Sequence, residues 1–142
     1  MTIGDILSAK GRDVITTTTS ATLEEVSQLL AKHKVGAAVV LDAKEDVCGI
    51  LSERDIVRQI AASGASALGG SASSCMTSKV ITCNESDTID VAMQKMSAGR
   101  FRHLPVLTNG KLAGIISIGD VVKKKIEQAE QDAADLKQYI AG

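Results

Sequence analysis

Aromatic side chains are almost missing from this sequence: there is no tryptophan, and Phe101 and Tyr139 stand alone as phenylalanine and tyrosine. A core must therefore be built from Val, Ile, Leu, Ala and Met, and stacking platforms for nucleic-acid bases are excluded. Cysteine is scarce too. Cys48, Cys75 and Cys83 are odd in number and form no C-x-x-C pair, which argues against a disulfide framework and against a zinc site. Reduced thiols of a cytoplasmic protein are the simple reading, with Cys48 and Cys83 in or near strands and inert, and Cys75 as the exposed thiol. No excess of one charge is present: 16 basic and 17 acidic residues leave a net charge of -1, without the basic stripe that a nucleic-acid partner needs. Met1 to Asp5 lack a basic leader segment, and the apolar runs are too short to span a bilayer, so no membrane partner is expected. Catalytic patterns are lacking as well. Two unrelated histidines, with no H-x-x-x-H, no Gly-x-Ser-x-Gly and no phosphate-binding Walker loop, offer no nucleophile beside a base, and a non-enzymatic protein is expected.

What the chain does have is an internal repeat. Its 142 residues, 44% of them apolar, suit one compact domain or two small ones sharing a core, with about two-thirds of the unfolded surface buried. Val14-Ile15-Thr16 matches Val80-Ile81-Thr82, Thr22-Leu23-Glu24 matches Thr88-Ile89-Asp90, and Val40-Leu41 matches Val106-Leu107, all at a separation of 66. After a one-residue contraction, Gly49-Ile50-Leu51-Ser52 meets Gly114-Ile115-Ile116-Ser117, and Asp55 meets Asp120, at a separation of 65.

Local chemistry orders each copy. The β-branched run Val14 to Thr17 predicts a strand, and Thr22 with Glu25 predicts a capping box opening a helix whose apolar stripe is Leu23, Val26, Leu29 and Leu30. That helix should end near Gly36. Ala37 to Leu41 and Val47 to Leu51 read as strands joined by the charged turn Asp42 to Asp46, and a helix is expected from about Arg54 to Ala62. In copy two, Asn109-Gly110 predicts a tight hairpin between Leu104 to Leu107 and Lys111 to Ser117. The fold class is thus α+β, mixed: two tandem βαββα units, with a pseudo-twofold packing expected because one unit leaves a sheet face uncovered. The expected division is residues 1–62 for the first repeat with an N-terminal segment, 63–74 for a flexible linker rich in Gly, Ala and Ser, 75–126 for the second repeat, and 127–142 for a C-terminal helix.

The strongest functional signal is Gly-Ile-x-Ser-x-x-Asp at the end of a strand in both copies, Gly49 to Asp55 and Gly114 to Asp120. A helix N-terminus there favours an anion. Ser52 or Ser117 can reach the same spot as the Asp three residues on, whose two oxygens suit the vicinal hydroxyls of a ribose. The same residues read equally well as N-caps with first-turn acids, and the glycines as relief of crowding or as access for a flat base.

Gly-Ile-Leu-Ser-Glu-Arg-Asp, Gly-Ile-Ile-Ser-Ile-Gly-Asp and Phe-Arg-His-Leu-Pro-Val together resemble the tandem cystathionine-β-synthase (CBS) domain pairs, over about residues 5 to 126. The resemblance implies two clefts related by a pseudo-twofold axis and a bound ligand among AMP, ADP, ATP, S-adenosylmethionine and NAD. It implies that Asp120 and Ser117 hold one ribose, with Thr16 and the backbone of Val35, Gly36 and Ala37 beside the adenine. Asp55 and Ser52 would hold the other, with Thr82, Phe101, Arg102 and His103 alongside. Arg102 and His103 match the family's phosphate contacts, and Arg54, Arg58 and Arg100 are weaker candidates. Copy one departs from the pattern, with Gly36-Ala37 in place of Arg102-His103 and Val39 in place of Pro105, so the two clefts are expected to be unequal.

Past the repeats, Val122, Ile126, Ala129, Ala133, Leu136 and Ile140 recur at intervals of four and three on a charged helix, a seam for a homodimer or for Ile3, Ile6 and Leu7 of the same chain. The expected function is an adenine-nucleotide sensor acting as a homodimer on a separate target protein. The alternatives are a metabolic enzyme using a nucleotide or NAD, and, more remotely, a nucleic-acid-binding module.

Overall fold

The structure is a computed structural model that describes residues 1–141; Gly142, the end of the expected C-terminal helix, lies outside them. The chain divides into two compact units: one is Asp13–Ile81, the other joins Met1–Arg12 to the chain from Thr82 onward. No signal in composition marks that cut, because it depends on where the first helix packs.

In the continuous unit, strand β1 (Thr16–Thr18) leads through helix α2 (Leu23–His33) to strands β2 (Ala37–Leu41) and β3 (Val47–Ser52), and then to helix α3 (Glu53–Ser63). The sheet order is β1-β2-β3, with β1 parallel and β3 antiparallel to β2. Thr22 caps α2 by accepting the Glu25 N–H at 3.1 Å, one half of the expected capping box; the return bond from the Glu25 side chain to the Thr22 N–H is not formed. The helix stops at a left-handed Lys34, and the Val35 N–H closes back on the Leu30 carbonyl. Leu23, Val26, Val40 and Leu51 are fully buried in one cluster between helix and sheet. Each such side chain contributes about 1.5–3 kcal/mol.

The expected flexible linker has secondary structure of its own: a 3-10 turn at Gly64–Gly69 and the short helix α4 (Ala72–Cys75). Its small residues are held by main-chain bonds rather than by an apolar stripe, with Leu23 N–H on Gly70 O and Ala72 N–H on Ala21 O. That is why its hydropathy shows no periodicity.

The second unit begins with helix α1 (Ile3–Lys10) and continues with strand β4 (Cys83–Asn84), helix α5 (Ile89–Gly99), strands β5 (His103–Thr108) and β6 (Lys111–Ser117), and the long helix α6 (Ile118–Ala141). Its sheet order, β4-β5-β6, repeats the first. Asn109 and Gly110 both take positive φ, 53° and 78°, giving the expected hairpin turn. Ile3, Ile6 and Leu7 join the core of this unit with Leu104, Val106, Ile116 and Val121. They cover that core and not the α6 seam, since Val122 and Ile126 remain 42% and 54% exposed. Arg12 and Thr108 both bond to Glu85, whose carboxyl they hold below its usual range, the threonine hydroxyl first.

Candidate functional site

The duplicated motif forms the same cap twice. In the continuous unit, β3 runs into α3 at Ser52, whose hydroxyl accepts the Asp55 N–H at 3.3 Å. Asp55 answers through Oδ2, which accepts the Ser52 N–H at 2.9 Å and the Ser52 hydroxyl at 3.0 Å. In the other unit Ser117 accepts the Asp120 N–H at 3.2 Å, and Asp120 Oδ2 accepts the Ser117 N–H at 2.8 Å. The capping role weighed from the sequence is therefore realised in both copies.

Two of the first helical N–H groups are occupied at each junction, which lessens the pull on an anion foreseen from the sequence. Besides the capped Asp, the Glu53 N–H donates to Gly36 O at 2.9 Å, and the Ile118 N–H donates to Arg102 O at 2.8 Å. These equivalent bonds put Gly36 beside Ser52 and Arg102 beside Ser117. Strand pairing does the same for the next residues, Ala37 opposite Ser52 and His103 opposite Ser117.

The surroundings of the two carboxylates differ. Asp55 has Arg58 for company, with its guanidinium 3.8 Å from Oδ1. Asp120 Oδ2 receives the Lys10 ammonium at 2.7 Å, and the same ammonium donates to Ile115 O at 2.9 Å. Burial pushes the Asp120 carboxyl upward, but the Lys10 and Ser117 bonds outweigh it and hold the group below its usual range. Asp120 lines a cavity of about 110 Å³ together with Ile6, Ala9, Lys10, Lys123, Lys124 and Glu127. That is smaller than the roughly 300 Å³ at which small-molecule sites begin. On both Asp residues the cap bonds run to Oδ2, so a ligand hydroxyl would be received at Oδ1.

The motif glycines answer a crowding demand. A Cβ on Gly49 would lie 2.3 Å from Met76 Sδ, and one on Gly114 would lie 2.6 Å from Leu7 Cδ2. Each sheet is thus approached at its glycine by the segment that precedes a repeat. Ile50 then pairs with Thr77, N–H to O at 3.0 Å and 2.9 Å, while the matching Ile115 takes the Lys10 ammonium instead.

The other expected site residues are scattered. Thr16 is exposed on β1, and Val35 and Gly36 line a groove of about 530 Å³ between α2 and α3, with Glu53, Ile56 and Val57. Arg54 and Arg58 border a smaller hollow of about 360 Å³ with Glu53 and Val57. Thr82 O accepts the Lys95 ammonium at 2.8 Å, Phe101 packs against the core of its unit, and Arg102 is exposed. Cys75, expected as the exposed thiol, is half-buried with its Sγ 3.4 Å from Asp55 O, and burial raises its pKa. Sequence reasoning missed Lys10 altogether. The only available signal was a lysine closing an amphipathic N-terminal helix, and nothing local says where that helix packs.

Comparison with known proteins gives this geometry its class. A family model described as the CBS domain matches residues 3–62 and 72–127, so the chain belongs to the CBS domain family and carries a tandem pair. More particularly, it is 33% identical over 149 residues to "CBS domain-containing protein CBSX3, mitochondrial" of Arabidopsis thaliana, spanning 99% of this chain and 72% of the plant protein. A crystal structure of a CBS-domain containing protein from Agrobacterium tumefaciens is 48% identical, with a TM-score of 0.84 over 87% of this chain and 92% of that one. A CBS domain protein from Pyrobaculum aerophilum, solved in complex with AMP, is 33% identical, with a TM-score of 0.76 over 84% and 89% of the two chains. No helix among the described residues is long and apolar enough to cross a membrane.

Proposed function

We propose that this chain is a regulatory module that binds an adenine nucleotide, AMP, ADP, ATP or NAD, at its Ser–Asp caps and passes the occupancy on to a separate target protein. The observation that carries the reading is the duplicated cap, Ser52 with Asp55 and Ser117 with Asp120, in a chain similar to a Pyrobaculum protein solved with AMP. A carboxylate that already caps its helix keeps Oδ1 for a ribose hydroxyl, while Arg102 and His103 supply charge and donors for phosphate. At Asp120, Lys10 holds Oδ2 and lines the same cavity, so its side chain must move aside for a ligand received at Oδ1. The module works without catalysis, as a cytoplasmic homodimer, and nucleotide binding biases one arrangement of it over another.

Calorimetric titration and thermal unfolding with AMP, ADP, ATP and NAD test this directly. A ligand at a hundred times its Kd stabilises the fold by about 2.7 kcal/mol, and AMP or another of the four should raise Tm accordingly. Asp120→Ala is expected to remove the larger part of the shift and Asp55→Ala the remainder. If all four nucleotides leave Tm unchanged, or both variants respond as the parent does, the caps are structural and the proposal fails.

A further inference from the structure

Helix α6 is the longest element of the chain, and most of it lies against nothing. Its 24 residues contain one buried side chain, Val121, and every described residue from Ala129 to Ala141 is exposed. At 1.5 Å per residue these last three and a half turns extend about 20 Å. A free helix of fewer than about 12–15 residues is marginal in water, so this stretch needs a surface to lie on. The apolar residues that it offers are aligned: Leu136 is 59% exposed and Ile140 75%, and with Val122, Ile126, Ala129 and Ala133 they keep intervals of four and three. That is a heptad seam, with Ile126, Ala133 and Ile140 at one core position and Val122, Ala129 and Leu136 at the other.

The flanking charges say what covers it. In a parallel pair, each residue just before the first core position faces, five residues on, the flank of the other helix. Lys125 then meets Glu130 of the second copy, and Asp132 meets Lys137, each contact occurring twice by symmetry. Turned antiparallel, the same seam would set Glu130 against Glu130 and Asp132 against Asp132, and Lys123 against Lys137. Lys125 now bonds Asp90 on α5 at 2.6 Å, but both residues are well exposed, and such a pair exchanges partners at little cost.

We infer that the α6 seam is covered by α6 of a second copy, as a parallel, in-register two-stranded coiled coil running from Val122 to Ile140. This rests on the homodimer proposed above and adds its contact surface, its direction and its register, and it is independent of the nucleotide reading.

Sedimentation of the full chain at micromolar concentration should give the dimer mass. Leu136→Asp, at an exposed site, should give the monomer mass, with a cooperative unfolding transition retained and the far-UV helix signal lowered only by the fraying of the freed end of α6. Asp132→Lys should weaken the dimer about three- to tenfold by placing lysines opposite one another, and adding Lys137→Asp should restore it. A Leu136→Cys chain, oxidised with diamide, should form a disulfide-linked dimer that the parent, with its own three cysteines, does not form. A monomeric parent overturns both the homodimer and the coil. A dimer indifferent to Leu136→Asp overturns the coil alone. A disulfide that requires mixing Ile126→Cys with Leu136→Cys chains, and is absent from Leu136→Cys by itself, overturns the parallel register.

Discussion

The two units have one plan and two ways of completing it. In the continuous unit, the sheet is finished by its own following segment: Met76 fills the gap at Gly49, and Thr77 bonds Ile50 through the main chain. In the other, the sheet is finished by the far end of the chain: Leu7 fills the gap at Gly114, and Lys10 reaches Ile115 and Asp120 with its side chain. A main-chain bond leaves the neighbouring carboxylate alone, whereas an ammonium engages it. Duplicated motifs therefore do not give duplicated sites, and the difference arises outside the motifs.

The contrast is broken most severely by truncating the side chains that fill the gaps. Leu7 is fully buried, so Leu7→Ala should cost about 2–5 kcal/mol in a denaturant titration. Met76 is only half-buried, and Met76→Ala should cost about 1 kcal/mol, near the centre of single-substitution effects. Equal losses would mean that the two gaps are filled alike.

A smaller effect concerns the lysine. Lys10→Met removes a competitor from Asp120, so adenosine, which has no phosphate to engage the ammonium, should bind that site about fivefold more tightly by calorimetry, for an exposed pair worth about 1 kcal/mol. The Asp55 site should not change. The same substitution acts on acid stability. Because the Asp120 carboxyl titrates below its unfolded value, its contribution is present above about pH 4 and disappears as pH falls through the lowered value. Melting curves of the Lys10→Met chain should therefore fall less steeply below pH 4 than those of the parent. An identical acid limb would show that the ammonium does not control that carboxyl.

The smallest effect separates the thiols. Cys83 is buried on β4, and burial pushes its pKa up to about 12, while Cys48 and Cys75 are half-buried. The folded state keeps the Cys83 proton that the unfolded chain gives up near pH 9. Stability from this group is thus complete below about pH 9 and is lost as pH rises toward 12. Cys83→Val should flatten that alkaline decline, and Ellman's reagent should label Cys48 and Cys75 before Cys83. Simultaneous labelling of all three would place Cys83 at the surface.

The sequence was informative wherever structure is set by neighbours within a few residues. Thr22, Ser52 and Ser117 declare their helices because a hydroxyl three residues ahead of an N–H can cap it, and Asn109-Gly110 declares its hairpin because both tolerate positive φ. The repeat exposed the paired caps. It could not reveal that α1 packs on β6, over a hundred positions away, nor that Gly49 and Gly114 answer to Met76 and Leu7. Such partners are chosen by shape and burial across the folded chain. The short helical turns within residues 63–74 are invisible in the sequence for a related reason, since main-chain bonds leave no trace in side-chain hydropathy.

The placement of α1 also has a temporal side. During synthesis, Asp13–Ile81 emerges as one uninterrupted stretch and can fold as soon as it is out, while the helix made before it must wait for Asp120 to be translated before Lys10 meets its partner. Until then Ile3, Ile6 and Leu7, buried in the finished fold, have no core to enter, and in that interval they are open to chaperones and to aggregation.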